Sequence, residues 1–194
     1  MITYSDTPQG TPEWLAERAG LLTASNFKTA VSKGTGRADL LDTLAFQRRT
    51  GVVEETYKSA AMQRGNDLEP QARDYVALML GLDIQEVGLC TNSELPGLGA
   101  SLDGLAGAVG VEIKCPAGKT HNRYLRQGKL PALYREQVYG QMLVCDLEAV
   151  WFCSYHPDDS EQLLIKIDRD ESIIGELHGQ LNVFLSDLAA LEKR

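Results

Sequence analysis

The hydrophobic periodicity of the chain changes at Gly81, and this change limits the folds that the chain can adopt. Before Gly81, apolar residues recur at helical spacing and predict a long helix over residues 59–80. Gly65 and Pro70 lie inside this span, so the helix is expected either to begin near Asp67 or to bend. After Gly81, short apolar runs predict strands. The fold must therefore combine helices with a sheet.

Other predicted elements have their own start and stop signals. Thr11 followed by Pro12 is typical of a helix start, Thr23 or Ser25 caps a second helix, and Gly51 ends a third. By residue number, the third helix is predicted at 38–49 and further helices at 120–127, 132–144 and 171–191. The predicted strands are 84–87, 98–102, 109–114, 149–155 and 162–167. A hairpin marked by Gly104, Gly107 and Gly110 is expected between strands 98–102 and 109–114. This order predicts an α/β or α+β fold, with a central mixed β-sheet flanked by helices.

Length and composition narrow the class of protein. The 194 residues, 43% of them hydrophobic, are enough for one compact domain, here expected to span residues 1–194. No apolar run approaches the roughly 20 residues that a membrane helix needs, and the N-terminus lacks a signal pattern, so we expect a cytoplasmic protein with no membrane partner. The four cysteines form no C-x-x-C pair, which argues against a zinc site or an iron–sulfur cluster.

Charge is unevenly distributed along the chain, although its net value is −8. Residues 18–38 carry four basic side chains and no acid, and residues 114–135 carry six and no acid. Residues 158–194 carry nine acids against four bases. A folded chain with this pattern can present a basic surface to nucleic-acid phosphates while another surface stays acidic. Taken alone, a basic run is also typical of an ordinary solvated face.

One predicted strand carries an unusual pair of charged residues. Glu112 and Lys114 are two positions apart, so their side chains leave the strand on the same face, while Ile113 points into the core. Charged groups in an apolar strand are costly unless that face opens on a site. Asp103 ends the preceding predicted strand, and a hairpin would bring it beside them.

An Asp and a Glu that converge on one point form an oxygen site suited to Mg²⁺ or Mn²⁺. A bound ion would lower the pKa of a water molecule and neutralise charge on a phosphate. Lys114 could then orient or deprotonate that water, or stabilise developing charge. The alternative is a surface hairpin in which Glu112 and Lys114 form a weak solvated pair.

Several segments, in order, resemble one nuclease family. Asp103 and Glu112-x-Lys114 resemble the core of the PD-(D/E)xK nucleases, and more closely the phage lambda exonuclease, or viral recombinase, branch. The matching motifs are Trp14-x-x-x-Arg18-x-Gly20-x-x-Thr23-Ala24-Ser25, Arg64-Gly65-x-x-x-Glu69, Ser101-Leu102-Asp103-Gly104, Glu112-Ile113-Lys114-Cys115-Pro116 and Tyr134-x-x-Gln137-Val138-x-x-Gln141-Met142. The chain departs from the pattern at Leu102, where Pro often precedes the Asp, but this position does not hold the metal.

The resemblance implies a role for each matching residue. Asp103, Glu112 and the Ile113 carbonyl would ligate Mg²⁺, for which Mn²⁺ can substitute, and Lys114 would act on the attacking water. Glu69 would be a further acidic ligand or orient water, and Gln137 would position the water or a metal ligand. Arg18 and Ser25 would bind a terminal 5′-phosphate.

The resemblance also implies a 5′→3′ exonuclease on double-stranded DNA that releases 5′-mononucleotides and leaves a 3′ single strand for recombination. It implies a ring-shaped homotrimer and a single-strand annealing protein as partner. Two alternatives stay open at this point. One is an endonuclease or resolvase with the same triad, and the other is a non-catalytic DNA-binding protein on the same fold.

Overall fold

The computed structural model describes residues 1–54 and 60–193. Residue 59, where the long predicted helix was expected to start, lies outside the described residues. In chain order the elements are β1 (Ile2–Tyr4), α1 (Pro12–Glu17), β2 (Leu22–Thr23), a 3₁₀ turn (Ala24–Asn26), α2 (Phe27–Val31), α3 (Thr35–Thr50), α4 (Ala60–Leu80), β3 (Leu89–Asn92), β4 (Leu98–Ser101), β5 (Gly104–Ala106), β6 (Val109–Lys114), α5 (Gly118–Gln127), α6 (Arg135–Cys145), β7 (Ala149–Ser154), β8 (Leu163–Asp168) and α7 (Glu171–Leu191). Within the described ranges, no helix is both long and apolar enough to cross a membrane.

The strands form two mixed sheets. The first has the order β1-β3-β4-β2, with β2 parallel to β4 and the other pairs antiparallel. The second has the order β5-β6-β7-β8, with β6 parallel to β7 and antiparallel pairs at both edges. The mixed α/β class is therefore confirmed, but the strands are divided between two sheets rather than joined in one.

The predicted hairpin is displaced by one strand. β6 pairs with β5, whereas β4 belongs to the other sheet. Asp103 lies between β4 and β5, at the point where the chain passes from one sheet to the next. The predicted strand at residues 84–87 was wrong, because only Gln85 forms a bridge there, exchanging two 2.9 Å backbone hydrogen bonds with Leu105.

The two faces of β6 meet different helices. Val111 and Ile113 are 0% and 5% exposed and pack with Ala72 and Val76 of α4. Because side chains alternate along a strand, Glu112 points to the opposite face, toward α6. β6 is thus a buried strand between two helices, and Glu112 lies inside the protein.

Helices α6 and α7 complete the larger core. The buried side chains of α7 recur at helical spacing: Ile174, Leu177, Leu181, Phe184 and Leu188. Each such burial stabilises the fold by about 1.5–3 kcal/mol. Gly140 of α6 permits close packing, since a Cβ there would lie 2.2 Å from Cδ2 of Phe27. The helix that carries polar residues to Glu112 is therefore held tightly.

Helix α4 runs without interruption from Ala60 to Leu80 and contains Pro70. The predicted long helix is therefore confirmed over its described residues, and the alternative of a start near Asp67 was wrong. Pro70 cannot donate a hydrogen bond to the carbonyl of Asn66, but both residues are exposed, so water can satisfy that carbonyl. The helix can therefore tolerate its proline.

Candidate active site

Glu112 and Lys114 form an ion pair at the end of β6. Glu112 is 0% exposed as a residue, and its Oε1 lies 2.5 Å from Nζ of Lys114. The ring of Tyr134 lies beneath the ammonium, with Nζ 5.3 Å from the ring centroid. The alternative of a weak solvated surface pair is therefore wrong, because the carboxylate is fully buried.

The charge of Lys114 reflects this environment. Burial acts to lower the pKa of its amine, but the Glu112 and Asp103 carboxylates outweigh that effect and raise the pKa above its usual value. Lys114 is therefore a cation that donates hydrogen bonds.

Two glutamines of α6 also bind the Glu112 carboxylate. Gln137 donates to Oε1 over 2.6 Å, and Gln141 donates to Oε2 over 2.5 Å. Gln141 also donates to the backbone carbonyl of Ser101 over 3.1 Å. The sequence motif included Gln141, but no role was predicted for it. Its spacing of four residues from Gln137, on one helix face, was the available signal.

Asp103 is held against β6 by the backbone. Its amide donates to the Val111 carbonyl over 3.1 Å, and its Oδ2 accepts from the Ile113 amide over 2.6 Å. Burial and the nearby Glu112 raise the pKa of the Asp103 carboxyl well above its usual range. The predicted convergence of Asp103, Glu112 and Lys114 is present in the structure.

Glu69 reaches this region from α4, but it is held by an arginine. Its Oε1 lies 2.7 Å from Nη2 of Arg73, one helical turn further on. Arg73 also donates to the Asp103 carbonyl over 2.6 Å and pairs with Glu86. Burial raises the pKa of Glu69, although Arg73 and Lys114 oppose this effect. Sequence reasoning missed Arg73, which joins Glu69 to the backbone of Asp103.

Arg64, the first residue of the helical motif, contacts the chain after β6. It donates to the carbonyls of Cys115 and Pro116 over 2.9 and 2.8 Å.

The four cysteines are all free thiols. Cys115 is partly exposed, whereas Cys90, Cys145 and Cys153 are buried.

The donor set fits a divalent cation that takes few protein ligands. Across residues 1–54 and 60–193, no group of three or more His, Cys, Asp and Glu side chains is arranged to hold a metal ion. Asp103 and Glu112 are, however, two carboxylates close enough for Glu112 to raise the pKa of Asp103, and Lys114 supplies one opposing charge. Mg²⁺ is usually bound by one or two carboxylates, with water and phosphate completing its shell. The residues therefore suit Mg²⁺ or Mn²⁺, without Glu69 as a required third carboxylate.

A second polar cluster lies near α1. The Arg18 guanidinium stacks on the buried Trp14 ring, 4.0 Å from its centroid, and donates to Thr23 Oγ1 over 3.0 Å. Thr23 Oγ1 is in turn 3.3 Å from Oγ of Ser25, which is exposed. Burial lowers the pKa of Arg18, and it has no ion pair with a carboxylate in the described part of the chain.

The structure thus brings together the two residues predicted to bind a terminal phosphate. The expected helix start at Ser25 was wrong in detail. Ser25 lies in a single 3₁₀ turn, and α2 that follows has five residues. Any anion binding there depends on the side chains of Arg18, Thr23 and Ser25 rather than on a long helix dipole.

Comparisons with known proteins identify a family and similar solved structures. Residues 13–148 match the model of the YqaJ-like viral recombinase domain. The crystal structure of an alkaline exonuclease, LHK-Exo from Laribacter hongkongensis, is 37% identical in sequence, with a TM-score of 0.88 over 94% of this chain and 95% of that one. The structure of LHK-Exo in complex with dAMP matches equally well.

A phage-related exonuclease from Haemophilus somnus 129PT is similar in fold alone. It is 15% identical, with a TM-score of 0.63 over 88% of this chain and 94% of that one. No match is found among curated proteins. The family match covers well over half of the chain, and LHK-Exo is similar over nearly all of it. The chain belongs to the YqaJ-like viral recombinase family, and it is similar over nearly its whole length to an alkaline exonuclease.

Proposed function

We propose that this chain is a Mg²⁺-dependent 5′→3′ exonuclease on double-stranded DNA. It releases 5′-mononucleotides and leaves a 3′ single strand for homologous recombination by strand annealing. The similarity to an alkaline exonuclease, over almost the whole of both chains, supports nuclease chemistry. The dAMP complex of that relative is consistent with a DNA substrate.

One observation carries the proposal. A fully buried Glu112, an adjacent Asp103 and a cationic Lys114 meet at the end of β6, where burying such charges is costly. A site for a divalent cation and a phosphate explains that cost, since the cation would bind both carboxylates and the phosphate would pair with the amine. A non-catalytic DNA-binding protein has no need for this arrangement.

The protein side chains divide the chemistry between them. Asp103, Glu112 and the Ile113 carbonyl would hold the Mg²⁺ ion, which when bound activates water for in-line attack and stabilises the 3′-oxygen leaving group. Gln137 fixes one oxygen of Glu112. Lys114 would act on the attacking water, by orienting or deprotonating it, or would stabilise the charge that develops on the phosphate. Glu69, paired with Arg73, orients water at the edge of the site.

The cluster around Arg18 selects the end of the DNA. A planar guanidinium that pairs with no carboxylate of residues 1–54 and 60–193 is suited to a terminal 5′-phosphate. Its stacking on Trp14 limits its rotation, and Ser25 offers an exposed hydroxyl beside it. Such a phosphate clamp would make the enzyme start at 5′ ends.

The wider assembly follows the family resemblance. A ring-shaped homotrimer would line a central channel with residues 18–38 and 114–135 and turn the acidic residues 158–194 outward. That arrangement reconciles a net charge of −8 with a DNA substrate. A single-strand annealing protein would receive the 3′ strand, and the reaction would take place in the cytoplasm.

The proposal is tested by digesting linear duplex DNA, labelled at either end, with and without Mg²⁺. We expect mononucleotides from the 5′ end, only with the metal, and no cleavage of covalently closed circular DNA. For a replacement of Lys114, Lys166→Met is the matched control, because Lys166 is paired with Asp168 on β8, which β7 separates from β6. Cleavage of the closed circle would instead favour an endonuclease, and the absence of any digestion would refute nuclease activity.

A further inference from the structure

Gln141 is a buried polar residue in an otherwise apolar part of α6. Its side chain is 0% exposed, and its neighbours Val138, Met142 and Val144 are also 0% exposed. A buried amide is costly unless its polar atoms are hydrogen bonded. The Oε1 atom of Gln141 nevertheless has no hydrogen-bond partner within the described residues. A leucine or methionine would avoid this cost, so packing alone does not explain a glutamine here.

The amide nitrogen of Gln141 joins two parts of the active site. It donates to Oε2 of Glu112 over 2.5 Å and to the carbonyl of Ser101 over 3.1 Å. Ser101 ends β4, two residues before Asp103. One amide therefore fixes the orientation of one carboxylate and ties it to the strand that leads to the other.

The two oxygens of Glu112 are not equivalent. Oε1 lies within hydrogen-bonding distance of both Gln137 and Lys114, which can fill its two acceptor positions. Oε2 accepts from Gln141 and, among the residues that the structure describes, keeps its second position open to a further partner. The rotation of the carboxyl group about its last bond decides where that open position points, and Gln141 fixes this rotation.

We propose that Gln141 is a positioning residue that orients Glu112 toward a divalent cation. This inference rests on the metal site of the proposed function, but it concerns metal affinity rather than nuclease activity. Residues that hydrogen-bond to a metal ligand typically change affinity or activity about 10- to 100-fold when they are replaced.

The test measures Mn²⁺ binding to the full chain without DNA, by isothermal titration calorimetry. Gln141→Met keeps the length and volume of the side chain but removes the donor, and Gln141→Leu provides a second apolar shape. Met142→Leu is the matched control, because Met142 is the next residue of α6 and is equally buried. Thermal denaturation in the absence of metal reports whether each variant is folded.

We expect either folded Gln141 variant to bind Mn²⁺ at least about 10-fold more weakly than the parent, and Met142→Leu to bind it as the parent does. In duplex digestion, the variants should need more metal for half-maximal rate, while the rate at saturating metal falls less. Parent-like Mn²⁺ affinity in a folded Gln141 variant would overturn the assignment. A parent protein that binds no Mn²⁺ would also overturn the assignment. Unfolding of both Gln141 variants would overturn it too, because Gln141 would then be only a residue of the core.

The two proposals fail separately. Weaker Mn²⁺ binding by Gln141→Met, together with a parent that digests no DNA, would support the role of Gln141 and refute the exonuclease. Digestion of DNA by the parent, together with unchanged Mn²⁺ affinity in the variant, would support the exonuclease and refute the role of Gln141.

Discussion

Replacing Arg18 tests the proposed phosphate clamp, and the size of the expected effect follows from the contacts of the Arg18 guanidinium. One guanidinium nitrogen is already bound to Thr23, and the rest of the planar group is free of carboxylates in the described ranges. A hydrogen bond to a charged group contributes about 1.5–3 kcal/mol. Since 1.36 kcal/mol corresponds to a factor of ten in rate, Arg18→Ala should reduce the preference for a 5′-phosphate by about 10- to 150-fold.

The assay compares initial digestion rates on duplexes that differ only in a 5′-phosphate or a 5′-hydroxyl. Arg18→Lys should keep part of the preference, because it retains the charge and loses the planar fork. Arg37→Ala is the matched control, since Arg37 belongs to the same basic segment but is paired with Asp187 at 2.7 Å. Equal rates on both substrates for the parent enzyme, or an unchanged preference in Arg18→Ala, would refute the clamp.

Three further predictions concern the metal site and the core. Lys114→Ala should lower the digestion rate by about 10²- to 10⁴-fold while the protein stays folded and binds duplex in a gel-shift assay; full activity in Mg²⁺ would remove Lys114 from the mechanism. In thermal denaturation, Mn²⁺ at 100 times its dissociation constant should raise the free energy of unfolding of the parent by about 2.7 kcal/mol, and Asp103→Asn should lose most of this stabilisation. Equal stabilisation of both proteins would exclude Asp103 as a ligand. Gly140→Ala should destabilise the fold by about 1–3 kcal/mol in urea, because the new Cβ meets the Phe27 ring at 2.2 Å; unchanged stability would mean that the ring moves freely.

Elements with a strong local pattern were predictable from the sequence. Strand β6 (Val109–Lys114) and helix α7 (Glu171–Leu191) have the bounds that their apolar patterns predict. Each segment is long enough for its period to separate a strand from a helix, and each buries an apolar face. The same alternation along β6 placed Glu112 and Lys114 on one face.

Short strands with distant partners were not predictable. Strands β1 and β2 have three and two residues, too few to display a period, and β3 was also missed. β1 pairs with residues about 90 positions away, a contact that no local pattern encodes. The division into two sheets depends on these pairings, which explains why one central sheet was expected.

The candidate site was predictable in its charged residues and not in its supporting contacts. An Asp and a Glu-x-Lys in an apolar setting are visible in the sequence because burying them is costly. Gln141 and Arg73 act through contacts to Ser101 and Asp103, which are 40 and 30 residues away in the chain. Such partners become identifiable only when the fold brings the segments together.

The central claim is that Asp103 and Glu112 hold a divalent cation beside Lys114. Anomalous scattering from a crystal soaked in Mn²⁺ measures this directly. We expect one strong peak between the two carboxylates, near the Ile113 carbonyl. A peak elsewhere, or none while the three side chains keep the geometry described above, would contradict it.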